Sequence, residues 1–184
     1  MSRITELAAE DVKKSSFIFN DNHTIEVRDA VFIWTNFSGE PNKFGNTDKY
    51  FNLVLNEEAA HAMKDIGFNV REFDNGEEME KTYFVNVKVK MDSAFPPQVS
   101  LYSEFKGKRT KQVLDETTIG NLDRINIESA DCIINAYTNA TTGKVSGYLR
   151  KLNVIQKPDI EFGGKYDEWL DEPQTPDDDI PFDI

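Results

Sequence analysis

The sequence has almost none of the residues on which enzymes most often rely. There is one cysteine, Cys132, and there are two histidines, His23 and His61, in 184 residues. A lone thiol excludes an internal disulfide framework and fits a reducing compartment. The two histidines lie far apart, so neither a Cys/His set at zinc spacing nor a His pair at i, i+4 can form locally. Gly-rich phosphate loops and nucleophile elbows are missing as well. Cys132 falls in a predicted strand beside Ile133 and Ile134, where a thiol reads as buried and inert. Carboxylates are plentiful, but no spacing singles out a magnesium-binding set. No catalytic residue, metal or cofactor is therefore expected. No apolar run approaches the roughly 20 residues that span a bilayer, and Met1 to Glu6 lacks the apolar stretch of a leader. A cytoplasmic protein without a membrane partner is the expectation.

Charge is abundant and unevenly placed. With 21 basic and 33 acidic residues the net charge is −12. Residues 166–184 hold eight acidic side chains and no basic one, so the rest of the chain carries only −4 of that total. Within that remainder, Ser103 to Lys111 concentrates four cations, Lys106, Lys108, Arg109 and Lys111, against one acid, Glu104. A local basic stripe of this kind can hold phosphate whatever the global charge.

The chain divides into a folded domain over 1–165 and an acidic tail over 166–184, the glycines Gly163 and Gly164 opening the linker. Thr5 to Lys14 reads as a short helix with Thr5 as cap and Glu10 facing Lys14. Thr24 to Phe37 is a long strand rich in β-branched and aromatic residues, and Asp48 to Asn56 alternates as a second. Asn56 then caps a helix from Glu57 to Ile66 that buries Ala59, Ala60, Met63 and Ile66, with Gly67 at its end. Thr82 to Met91 is the clearest strand: Tyr83, Val85, Val87, Val89 and Met91 face one way, Phe84, Asn86, Lys88 and Lys90 the other. Val99 to Phe105 is a further strand, and 115–123 holds a turn or short helix. Arg124 to Asn139 and Lys144 to Gln156 form a terminal hairpin about Gly143. The fold class is mainly β, and an OB-fold-like closed antiparallel barrel with one or two short helices fits best. A β-sandwich shares the pattern.

Rings and cations alternate on the strand faces that point away from the core. Phe84 shares a face with Lys88 and Lys90; Arg28, Phe32 and Trp34 share another. Tyr50 lies opposite the apolar row of its strand, Tyr102 points away from Val99 and Leu101, and Tyr148 stands with Arg150 beside Lys151. Bases stack on rings at about 1–3 kcal/mol each without regard to sequence, while cations follow the phosphates. The candidate nucleic-acid contacts are thus Arg28, Trp34, Tyr50, Phe84, Lys88, Lys90, Tyr102, Lys106, Lys108, Arg109, Lys111, Tyr148, Arg150 and Lys151. An acidic protein–protein adaptor, needing neither rings nor lysine rows, is the alternative.

The C-terminus ends Asp177-Asp178-Asp179-Ile180-Pro181-Phe182-Asp183-Ile184. Like charges repel and Pro181 removes a backbone donor, so a disordered acidic tail ending in apolar side chains is expected. The string Asp177 to Phe182 resembles the acidic tip of bacterial single-stranded DNA-binding proteins, although Asp183 and Ile184 follow the phenylalanine here. The resemblance extends to phage-encoded single-stranded DNA-binding proteins, which join one such barrel to an acidic C-terminus. It implies single-stranded DNA as ligand, work in the host cytoplasm, and docking of replication, recombination or repair proteins on Asp177, Asp178, Asp179, Ile180, Pro181 and Phe182.

Overall fold

Alternating apolar and polar residues put most of the described chain into strands. The computed structural model describes residues 2–158, and the acidic tail and its proposed docking residues lie outside that range. In chain order the elements are α1 (Ser2–Asp11), β1 (Ser16–Phe19), β2 (Thr24–Arg28), β3 (Phe32–Asn36), β4 (Tyr50–Leu55), α2 (Glu57–Ile66), β5 (Arg71–Phe73), β6 (Thr82–Lys88), β7 (Gln98–Phe105), β8 (Lys108–Leu114), β9 (Ile127–Thr138) and β10 (Val145–Gln156). Short 3-10 turns follow α1, at Val12–Lys14, and precede β9, at Ile119–Asp123.

The strands pair in the order β1-β2-β9-β10-β6-β4-β3. This corrects the expected closed antiparallel barrel in two respects. The path runs from β1 to β3 and does not return on itself, because the strand expected over 24–37 is broken. Asp29 sits at φ 52°, a left-handed conformation uncommon for a residue other than glycine, and Ala30 and Val31 belong to neither β2 nor β3. One backbone hydrogen bond survives on each side of the break: Ala30 N–H donates to the Ala130 carbonyl at 2.7 Å and Val54 N–H to the Val31 carbonyl at 2.9 Å. The second correction is that β10 runs parallel to both β6 and β7.

A change of partner along β10 has a local cause. Its register against β9 slips between Leu149 and Lys151, leaving Arg150 as an extra residue. Such a bulge bends and twists its strand. Before it, Gly147 and Tyr148 pair with β6; after it, Lys151 to Ile155 pair with β7.

Among the described residues, two apolar clusters form. The larger lies inside the sheet and includes Phe37, Phe51, Leu53, Val85, Val87, Ile134 and Leu152, with Met63 of α2. Cys132 belongs to it, and burial followed by the charge of Asp131 holds its thiol well above the ordinary range. The smaller cluster joins Ala8 and Val12 to Ile33, Val54 and Phe84, so α1 covers the outer side of β3, β4 and β6 at one end.

The helices differ in how well their ends match expectation. Asn56 caps α2 by accepting a hydrogen bond from Ala59 N–H at 2.7 Å, and Gly67 ends it at φ 121°. Ile66, expected inside, is exposed. Thr5 is not a cap: it is buried within α1, its side chain bonded to Asn75 and its carbonyl accepting from Thr82 Oγ1 at 2.6 Å. Glu10 pairs with Lys13 at 3.2 Å rather than with Lys14.

Candidate nucleic-acid interface

The outer faces of β4 and β6 are graded along their length. Their ladder sets Val54 opposite Phe84, Asn52 opposite Asn86 and Tyr50 opposite Lys88. α1 covers only the first of these rows. The second is a pair of amides, with Asn86 Nδ2 donating to Asn52 Oδ1 at 3.5 Å. The third is open and pairs a ring with a cation.

Of the two rings expected at the interface, Phe84 is buried and Trp34 is exposed. Phe84 is 8% exposed and lies in the cluster beneath α1, so it has no face to offer a base. Trp34 is 37% exposed and meets Phe84 edge-on at 5.2 Å and Phe73 at 5.9 Å. Its backbone sits at φ 46° and its carbonyl accepts from Asn52 Nδ2 at 3.1 Å. The buried Phe84 and half-buried Phe73 rings on one side and an amide on its backbone thus fix the indole at the edge of the open surface.

The ring-and-cation row continues into the terminal hairpin. Tyr148 on β10 pairs with Lys88 on one side and Asn135 on the other. The Lys88 ammonium lies 5.5 Å from the Tyr148 ring centre. With strands about 4.8 Å apart, Tyr50 and Tyr148 stand about 10 Å from each other with Lys88 between. Tyr137 of β9 meets Tyr148 edge-on at 6.3 Å and is well exposed. The sequence reading did not single it out, although it faces the same way as Asn135, the cross-strand partner of Tyr148. Past the row, the bulge lets the consecutive Arg150 and Lys151 both reach solvent.

A groove of about 670 Å³ adjoins this row. Tyr50, Asn86, Lys88 and Lys90 line its sheet side, and Lys49 and Arg124 add further cations. Its wall is the segment 37–49, held by two side chains. Asn36 donates from Nδ2 to the Glu40 and Asp48 carbonyls at 3.1 and 3.0 Å and accepts from Glu40 N–H at 2.9 Å. Asp123 accepts from Thr35 Oγ1 at 2.7 Å, Phe37 N–H at 3.1 Å, and Ser38 N–H and Oγ at 2.8 and 2.7 Å. Partial burial pushes the Asp123 carboxyl up, but these hydrogen bonds outweigh it and hold the group below the usual carboxylate range. Hydrogen bonds to the charged form have that effect.

Cations on this face keep their charge available. Among the described residues no carboxylate pairs with Lys88, Lys90, Arg150 or Lys151. Elsewhere Lys13 pairs with Glu10 and Glu80, and Lys64 and Lys81 both pair with Glu72.

The remaining candidates lie apart. Arg28 ends β2, whereas Trp34 is in β3 beyond the break at Asp29, and their strands pair with β9 and β4 respectively. Phe32 packs on Phe51 at 4.4 Å as part of the core. The basic stretch forms the exposed β7–β8 hairpin, turned by Lys106 and Gly107 at φ 52° and 78°. Lys111 stands 5.8 Å from the Tyr102 ring, and Arg109 pairs with Glu104 at 3.5 Å. Tyr102 pairs with Ile155, seven residues beyond Tyr148 on β10, which at about 3.3 Å per residue is on the order of 20 Å from the row.

A family model for the phage ssDNA-binding domain matches residues 15–171, a span that includes all ten strands. The chain belongs to this family. Single-stranded DNA is its ligand, and the exposed rings with uncommitted cations are the chemistry that such a ligand requires. Among solved structures the chain is similar to the single-stranded DNA-binding protein from bacteriophage Enc34. Its C-terminal truncation matches at 10% identity and a TM-score of 0.45, over 78% of this chain and 91% of that one. The same protein in complex with ssDNA matches at 10% identity and a TM-score of 0.45, over 78% and 92%. The single-stranded DNA-binding protein encoded by bacteriophage T7 matches at 12% identity and a TM-score of 0.35, over 83% and 96%. No curated protein matches the sequence.

Proposed function

We propose that this protein coats unpaired DNA without sequence preference, with Tyr50, Lys88 and Tyr148 as the centre of the binding face and Trp34 at its edge. The observation that carries this reading is the cross-strand row itself, two rings flanking an ammonium that no carboxylate among the described residues neutralises, beside an open groove. Lys90, Lys49 and Arg124 in the groove, and Arg150 and Lys151 past the bulge, follow the phosphates. Phe84 supports Trp34 from beneath. Arg28 and the hairpin cations Lys106, Lys108, Arg109 and Lys111, with Tyr102, serve a longer strand that leaves the central row.

An open, OB-like sheet is part of the same reading. β2 and β3 flank the bend at Asp29 and lead towards β9 on one side and β4 on the other, without a continuous ladder between them. The hydrogen bonds of Ala30 and Val31 to β9 and β4 support this. No catalytic role is assigned, and no helix among the described residues is long and apolar enough to cross a membrane. Residues 1–165 form the binding unit, acting in the host cytoplasm, while residues 166–184 recruit replication, recombination or repair proteins through Asp177 to Phe182.

Titration with oligo-dT at several salt concentrations tests the binding face. Each counterion displaced from a single strand contributes roughly −0.7 to the slope of log K against log salt. The full chain should show a clearly negative slope and prefer a single strand to a duplex of equal length. Equal affinity for the two at moderate salt contradicts stacking on unpaired bases.

A further inference from the structure

The groove wall carries a ring that neither the core nor the central row uses. Residues 42–46 form a tight turn: Gly45 N–H donates to the Asn42 carbonyl at 2.9 Å and Asn42 N–H to the Asn46 carbonyl at 2.9 Å. Asn42 Oδ1 also accepts from Phe44 N–H at 2.8 Å and Asn46 N–H at 3.0 Å. Asn42 and Asn46 both line the groove, and Phe44, between them in sequence, is 82% exposed just outside that lining. The Lys43 ammonium lies 5.1 Å from the Phe44 ring centre. A phenylalanine left this bare loses the favourable burial available to it, yet its turn is held in one shape beside a groove lined by Lys49, Lys88, Lys90 and Arg124 together with Glu40, Asp48 and Asp123.

We infer that Phe44 is a further stacking platform, a lip that takes a base of the strand as it leaves the Tyr50–Lys88 row through the groove, with Lys43 contacting the adjoining phosphate. This rests on the groove being the DNA path, and it adds a contact from a segment with no regular secondary structure. The pairing of Lys43 with Phe44 repeats that of Lys88 with Tyr148: a ring for the base and an ammonium within about 6 Å for the backbone. Phe95 supplies a built-in comparison. It is 93% exposed, but no residue from 91 to 97 lines the groove.

The test is a set of full-length variants titrated with oligo-dT of about 16 nucleotides, long enough for the site sizes of such domains. Phe44→Ala and Phe44→Leu should each bind about 5- to 20-fold more weakly, Leu failing because it is apolar but has no aromatic face. Phe44→Trp should bind as tightly as the unsubstituted chain, and its added fluorescence should be quenched at stoichiometric DNA. Phe95→Ala should bind normally. Unchanged affinity in both Phe44→Ala and Phe44→Leu overturns the lip, as does a loss in Phe95→Ala equal to that in Phe44→Ala. Tyr50→Ala in the same series separates the two readings. If Tyr50→Ala weakens binding while Phe44→Ala does not, only the lip fails; if neither does, the groove is not the DNA path.

Discussion

At the scale of single residues, exposure separates rings that hold the protein together from rings that meet DNA. Phe84 packs with Ala8, Val12, Ile33 and Val54, so Phe84→Ala should cost about 3–5 kcal/mol of stability. Its effect on DNA should come mainly through the loss of support for Trp34. Tyr50→Ala should do the reverse, lowering affinity by about 1–3 kcal/mol with little change in melting temperature. Thermal melting beside oligo-dT titration distinguishes the pair. Asp123 gives a pH prediction. Its folded pKa is held below the unfolded value of about 3.9, so its stabilisation is fully present above that value. It is lost as pH falls through the depressed folded pKa. Asp123→Asn should lower stability at neutral pH, because an amide cannot accept all four hydrogen bonds, and should flatten the loss between pH 5 and 3. Denaturant midpoints for both proteins across that range check the sign. Some acid dependence should remain, since hydrogen bonds from Thr117 and Thr118 also hold the Asp115 carboxyl low.

At the scale of elements, the sequence was most legible where periodicity and end signals agree. Asn56 and Gly67 bracket α2, which is readable to the residue, and strict alternation marks β6 from Thr82, although the strand ends at Lys88 rather than Met91. The terminal hairpin is equally clear. The break at Asp29 was hidden because 24–37 is rich in strand formers on both sides, and a single left-handed residue leaves no pattern of its own. β8 was missed because Lys108 to Gln112 carries no apolar alternation. Only its partner β7 and the Lys106-Gly107 turn make it a strand. Of the site, the facing of Tyr50, Lys88 and Tyr148 was visible in three separate strands, but their meeting in one row depends on registers that no local pattern encodes. Phe84 misled because α1, distant in sequence, covers part of a face that alternation marks as outward. The hairpin makes a distinct prediction: replacing Lys106, Lys108, Arg109 and Lys111 with Gln should leave affinity for a short oligonucleotide, about 5 nucleotides, unchanged. For one of about 20 nucleotides the salt slope should become shallower by up to roughly 0.7 per lost phosphate contact. Equal losses on both lengths would place the hairpin inside the central site.

At the scale of the whole molecule, charge is partitioned between a body of −4 and a C-terminal segment of −8. A polyanion covalently linked to a cationic face competes with DNA at high effective concentration, and salt screens that competition over a Debye length of about 10 Å at 0.1 M. Deleting Asp171 to Ile184 should therefore tighten oligo-dT binding, more at low salt than at high. Phe182→Ala should keep the competition while losing a partner captured through the tip. Affinity unchanged by the deletion at low salt removes the competing role. The central claim, that unpaired bases stack on the β4–β6–β10 face, is tested most directly by photocrosslinking the full-length protein to oligo-dT carrying 5-iodouracil, with the modified residues located by mass spectrometry. The account predicts crosslinks at Trp34, Tyr50 and Tyr148 and none at Phe84. Crosslinks confined to the α1 and α2 side, or to the β7–β8 hairpin alone, would contradict it.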